Sequence, residues 1–417
     1  MASYFSGLTG NTIEQYGIAL KIEKAKELAR ANQKFNTLVQ IISLEKKIET
    51  LHITRSTTDK TEQMAREALD VSRHIDRVTR LSNLALLLYR WYVINGHARN
   101  EEDEKDIKDF FKSYLPKDLT LVNGFYEKLY LYQSYCWYAF IRQDFLMYYR
   151  YAQKWVDLYR EEPHLKSIET GHYIKGMQAL LNAHFDLRNF DKFEKTVREF
   201  EAYEKTPEAQ QHDNFRTHTS IYINSSKVNG HLMKGTFKEG LKLVPIIEEK
   251  LHEYALFVDQ HRILVFNYKI ASLYFGNGNY EKAIDYLHRI INGPMDIRID
   301  LQCYARLMHL LSHYELGNYE ILDSLSKSVH RFMEKMKNLT TVEEAVFKFL
   351  KTSFTQSPDK IKKALEKLLS DIKHLENNRF QTRSFAYLDI ISWAESKVYN
   401  KTMEEVVHGK YKKSKRK

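Results

Sequence analysis

Apolar residues recur along this chain at the spacing of helix faces, with polar residues filling the intervals. After Pro358, the residues Ile361, Ala364, Leu365, Leu368 and Ile372 fall three or four apart and so share one helical face. Ser357-Pro358-Asp359, just before them, is a helix start: a hydroxyl cap, then proline at the first helical position. A last helix is expected over about 382–399. Near the other end, IEKAKELARANQKFNTLVQIISLEKKIETL reads as two helices turning near Asn32–Phe35. The stretch EQMAREALDVSRHIDRVTRLSNLALLLYRWYVING reads as a further pair, broken near His74–Thr79. Strand-like alternation is missing. With 15 Gly and 6 Pro in 417 residues, turn formers are too few for a sheet protein, and the chain is expected to be all-α.

One stretch carries more than periodicity. Residues 270–287 read IASLYFGNGNYEKAIDYL, with Ala271 where two helices touch, Tyr274 and Gly278 before the turn, Tyr280 after it, and Ala283 where the second helix packs back. Equivalents of Tyr280 occur at Tyr319, Phe237, Phe190, Phe145 and near Ala98, spaced 47, 45, 47, 43 and 39 residues apart along the chain. Gly lies two residues before the anchor at Gly96, Gly235, Gly278 and Gly317, where the chain is expected to leave the first helix through a left-handed conformation. Pro116, Pro163, Pro207 and Pro294 fall 18, 18, 17 and 14 residues after their anchors, where the second helix should end. Pro245 breaks this rule, and a kink or early break is expected there.

This pattern resembles the tetratricopeptide (TPR) repeat, in a long-period form. The resemblance implies an α-solenoid of antiparallel helix pairs, a TPR-like right-handed superhelix. Stacking hides the apolar face that each pair exposes alone, so 1–409 is read as one solenoid: N-terminal helices over 11–80, repeats over 81–337, capping helices over 338–400. In TPR proteins the first helix of each pair lines the concave face. The positions implied here are Tyr130, Gln133, Trp137 and Phe140; Lys175, Gln178, Asn182 and Phe185; Tyr222, Ser225, Asn229 and Leu232; and Val265, Tyr268, Ser272 and Phe275. Amides and aromatics so placed suit a docked protein or peptide segment. Of the family's carboxylate clamp, Asn182 matches and Gln178 does not. Lys269 alone answers the basic groups expected further on.

Charge and chemistry narrow the function. The net charge of +10 is concentrated at the chain end, where Lys410, Lys412, Lys413, Lys415, Arg416 and Lys417 are six of the last eight residues. Without them the other 409 residues carry +4. The stretch 410–417 is read as a disordered basic tail, with contact to nucleic acid or an acidic surface as the alternative. Residues 125–159 hold fourteen aromatics in 35 positions, read either as packing between repeats or as a recognition patch. His309 and His313 stand four apart, but Leu310 occupies the place of the zinc-hydrolase glutamate, and the pair reads as helix packing. GNGN at 276–279 lies between helices and reads as a turn. No GxSxG, HExxH, paired CxxC or EF-hand pattern occurs, so no catalytic residue, metal or cofactor is expected. Two cysteines, no signal-peptide pattern and no apolar run long enough to span a bilayer lead to the expectation of a cytoplasmic protein. The expected function is a non-enzymatic scaffold or adaptor binding protein or peptide along the concave face. The alternatives are a nucleic-acid-associated adaptor using the tail, and a peptide-sensing regulator resembling bacterial TPR signalling receptors.

Overall fold

The computed structural model describes residues 18–51, 58–294, 298–353 and 358–415, and no strand occurs among them. Residues 18–31 are helical (α1), followed by α2 (Phe35–Leu51), α3 (Thr58–Asn95), α4 (Glu101–Tyr114), α5 (Phe125–Ile141) and α6 (Phe145–Glu161). Next come α7 (Thr170–Asp186), α8 (Phe190–Glu204), α9 (Asp213–Lys234), α10 (Val244–Glu253), α11 (Gln260–Gly276) and α12 (Tyr280–Ile291). The chain finishes with α13 (Ile299–Glu315), α14 (Tyr319–Lys335), α15 (Thr341–Ser353), α16 (Pro358–Ile372), α17 (Ile390–Val398) and α18 (Met403–Ser414). Consecutive helices pack on one another from α2 to α4, from α5 to α9 and from α11 to α18, and the first helices of successive pairs also touch: α7 on α9, α9 on α11, α11 on α13. The result is an all-α helical repeat with an inner row of first helices.

The turn inside each pair sets this row. Gly96, Gly235, Gly278 and Gly317 have φ of 73°, 62°, 80° and 73°. Gln33, Gln143 and Arg188 hold the same left-handed conformation at φ of 56°, 57° and 51°, two residues before Phe35, Phe145 and Phe190. Turns lacking glycine therefore pay a backbone strain of about 1–2 kcal/mol each, which the packing of the flanking helices outweighs. In the most regular pair, Ala271 and Ala283 are wholly buried, and Asn279 caps α12 by accepting from the Lys282 N–H at 3.1 Å. Gly276 has a different reason to be glycine, since a Cβ there would lie 2.7 Å from the Phe237 ring. The prolines sit at helix boundaries: Pro116, Pro163 and Pro294 just past α4, α6 and α12, and Pro207 opening a short turn after α8. Before Pro245 the second helix breaks into the short pieces Phe237–Gly240 and Leu241–Leu243.

Three expectations need correction. First, α3 runs unbroken through His74–Thr79 for 38 residues. Glu127, which has no exposed surface, holds it there: its Oε1 accepts from Arg77 Nε at 2.6 Å and lies 3.1 Å from His74 Nδ1. Burial works to raise this carboxyl's pKa, but His74, the Gly124 N–H and Arg77 together bring it down to about 2. The anion thus pins α3 to the start of α5. Second, the helix expected over 382–399 divides into Thr382–Tyr387 and α17, because Asp389 caps a new helix by accepting from Ser392 N–H at 2.9 Å. Third, residues 410–414 continue helix α18 rather than forming a disordered tail. Thr402 and Glu405 make a capping box at its start, Val407 is buried, and Tyr411 meets the Phe190 ring at 4.7 Å. Ser357, Arg416 and Lys417 lie outside the described residues.

Two outcomes follow from these contacts. Gly278→Ala is expected to lower stability by about 1 kcal/mol through backbone strain alone, since nothing lies within 4 Å of the added Cβ. In urea denaturation Arg188→Gly should move the other way, by up to about 1 kcal/mol. Gly235→Ala is expected to cost more than Gly278→Ala, because its Cβ would stand 2.6 Å from His408 N and 2.7 Å from Val407 Cβ. Removing residues 403–417 should itself lower the melting temperature and erase that excess; a truncation with no thermal effect would contradict the docking of α18.

Candidate functional site

Helices α3, α5, α6, α7, α9 and α11 together line a cavity of about 560 Å³. Of the sixteen groove positions expected, it gathers Tyr130, Gln133 and Trp137 from α5, Lys175, Gln178 and Asn182 from α7, and Tyr222 from α9. Phe140 joins them. The sequence reading missed Ser82, Leu86 and Tyr89 on α3, Tyr148 and Trp155 on α6, and Arg262 on α11. Leu86 and Tyr89 carried a signal of their own, an exposed apolar pair on a helix whose other face is buried.

The walls differ in character. On one side Trp137 meets Tyr89, Tyr92 and Phe140 with ring centroids 5.2, 5.7 and 6.0 Å apart. None of the fourteen aromatics of 125–159 is fully exposed, and five of them (Tyr130, Trp137, Phe140, Tyr148, Trp155) form part of this wall. The cluster is therefore mostly packing, with one edge on the cavity. Trp155 is 6% exposed, and its indole N–H has no hydrogen-bond partner. Amides lie in the middle: Gln133 Nε2 stands 2.9 Å from His172 Nδ1, while Asn182 reaches the buried Tyr148 hydroxyl. On the far side Arg262 donates to the Tyr222 hydroxyl at 3.0 Å, and Lys175 is exposed with no carboxylate partner among the described residues. A second hollow, of about 310 Å³, adjoins this end and shares Lys175 and Tyr222 while adding Glu169, His172 and His218.

The other expected groove residues lie elsewhere. Asn229 is buried on α9 seven residues beyond Tyr222, roughly 10 Å further along the helix and past the cavity. Tyr268 is buried because a C-terminal return segment, 373–389, crosses the inner row over α11; its hydroxyl donates to Tyr387 O at 2.9 Å. Phe185, Leu232, Ser272 and Phe275 face this segment across a separate hollow of about 300 Å³. The segment reaches both ends of the repeat array. Arg379 pairs with Glu104 at the start of α4, and Thr382 donates to Gln143 at 3.1 Å. Its main anchor is Asp300, which receives Arg298 Nη2 at 2.8 Å, Arg383 Nη2 at 3.2 Å and the Tyr387 hydroxyl. Burial opposes the Asp300 charge, yet Arg298, Arg383 and Tyr387 prevail and hold its carboxyl far below the usual range.

The basic end is largely occupied. Lys410 pairs with Glu395 at 2.8 Å and Lys415 with Asp191 at 3.3 Å; Lys412 and Lys413 stay exposed, without an acidic partner among the described residues. His309 Nε2 lies 2.9 Å from His288 Nε2 and 3.2 Å from His313 Nε2, joining α12 to α13. Cys136 and Cys303 are free and buried, and burial raises both thiols.

No family model matches the chain, nor does any curated protein. Among solved structures it is similar to the crystal structure of the apo form of RapI, at 14% identity and a TM-score of 0.42, over 92% of this chain and 99% of that one. No helix among the described residues is long and apolar enough to cross a membrane.

Asp300→Asn is expected to lower stability at pH 7 by about 3–5 kcal/mol, because two guanidiniums would lose the anion between them. The folded carboxyl sits below its unfolded value, so its contribution is complete above about pH 4 and fades as pH falls further. Urea unfolding at pH 7 and pH 3 should therefore show the gap between wild type and variant narrowing in acid.

Proposed function

We propose that the chain is a non-enzymatic binding protein whose inner cavity holds an extended peptide segment of a protein partner. The observation that carries this reading is the convergence of Gln133, Gln178 and Asn182 with Tyr89, Tyr130, Trp137 and Phe140 on one cavity. A carboxamide donates and accepts at once, so a row of them matches the unpaired N–H and C=O groups of an extended backbone. Aromatic walls offer large contact area at low conformational cost to the side chains of such a segment. At about 560 Å³ the cavity has the size of a pocket that encloses a ligand, not of a flat docking face.

The test is binding of a synthetic pool of random heptapeptides to the full chain, read by mass spectrometry of what is retained. Retention should be saturable, and Trp137→Ala and Gln178→Ala should each weaken it about tenfold or more. Trp137 is half-buried, so its loss should cost roughly 2 kcal/mol of folding stability, less than the ~3–5 kcal/mol of a core tryptophan. Retention unaltered by both changes would place any binding outside the cavity and end this reading.

A further inference from the structure

The inner surface beyond the aromatic wall is a band of cations with too few anions to match them. Lys175 on α7, Arg262 and Lys269 on α11, Arg298 before α13 and Arg383 on the return segment lie along it. Two carboxylates, Asp259 and Asp300, pair with three of these five, and Glu169 lies near His172. Asp300 is spent between Arg298 and Arg383, and Asp259 is paired with Arg262, while Tyr126 donates to Glu169. Lys175 and Lys269 are left without a carboxylate; the Lys269 ammonium instead donates to the Ser225 hydroxyl.

Neighbouring groups register the same field. Burial, with Arg298 beyond it, pulls the Lys269 ammonium down to about 7. Burial also lowers the His172 and His218 imidazoles, and Lys175 acts in the same direction on both. Lys175 and Arg262 stand on the wall of the 560 Å³ cavity, and Lys175, His172 and His218 on that of its 310 Å³ neighbour. The cavity thus has an apolar end at Tyr89 and Trp137 and a cationic end at Lys175 and Arg262.

Resting on the peptide-binding reading above, we propose that the occupant is an acidic peptide, oriented with an apolar side chain at Trp137 and a carboxylate at Lys175 and Arg262. An ammonium and a guanidinium reached from two helices give charge-assisted hydrogen bonds to one carboxylate, and a partly enclosed site screens them less than an exposed surface does. The carboxylate comes either from an Asp or Glu side chain or from a free C-terminus. The chemistry at Lys175 is the same for both.

The random heptapeptide pool decides between these outcomes when offered in two forms, with free and with amidated C-termini. Peptides retained by the full chain should be enriched in Asp or Glu in both forms, if a side chain supplies the carboxylate, or be retained only from the free form, if the C-terminus does. Replacing that Glu by Gln, or amidating the terminus, should weaken an individual peptide about tenfold, more so at low ionic strength. Lys175→Gln should abolish the preference, and Lys175→Arg should restore it. Since Lys175 is exposed, neither change should disturb the fold, which circular dichroism checks. Retention of neutral or basic peptides, indifferent to Lys175→Gln, would overturn the acidic assignment and leave the peptide reading standing. A pool from which nothing is retained would overturn both.

Discussion

Six turns of this chain, at Gln33, Gln143, Arg188, Gly235, Gly278 and Gly317, pass through the left-handed region of backbone space just ahead of a new helix, and the architecture depends on that constraint. A residue at φ between 51° and 80°, two positions before the next helix, ends one helix and reverses the chain within about three residues. So short a reversal forces the two helices to lie antiparallel and in contact. The apolar face left over can be hidden only by the next pair. Repetition then puts first helices beside first helices, and their inward side chains share one surface. The cavity at Trp137 and Asn182 is a consequence of turn geometry before it is a matter of binding chemistry.

That surface is not left open along its whole length. The return segment, fixed by Asp300 and by Arg379 on Glu104, covers the inner face of α11 and leaves free the part lined by α3, α5 and α7. Position along the solenoid thus decides which inner residues meet solvent. Gln133 and Trp137 face a cavity, whereas Tyr268, at the same place as Gln133 in a later pair, is a buried contact of Tyr387.

Local chemistry was legible in the sequence, and distant chemistry was not. Glycine at 96, 235, 278 and 317 marked four turns, and proline marked the boundaries, because each residue type acts through its own backbone. The turns at Gln143 and Arg188 lack that signature and were found by the aromatic two residues later, while the turn at Gln33 was read from the helical pattern on either side of it. Counting from those anchors placed Tyr130, Gln133, Trp137, Lys175, Gln178, Asn182 and Tyr222 on one wall. The expected break near His74 failed because its cure, Glu127, lies about fifty residues away. The chain end was misjudged since its lysines dominate the composition, while Val407 and Tyr411, which dock it, are two isolated apolar residues. Nothing in the run 373–389 reveals that it bridges Glu104 to Asp300.

That bridge changes how the molecule comes apart. In an open solenoid each repeat knows only its neighbours, so terminal pairs can fray while the middle stays folded. Here Arg379 and Glu104, 275 residues apart in sequence, are in contact, as are Thr382 and Gln143 at a separation of 239. A linear chain of nearest-neighbour couplings is thereby closed into a ring. Loss of an early pair releases the return segment, which in turn uncovers the late pairs, so opening at either end is felt at the other. The loop the bridge closes spans most of the protein, so its closure entropy falls once the repeats between Glu104 and Asp300 have stacked.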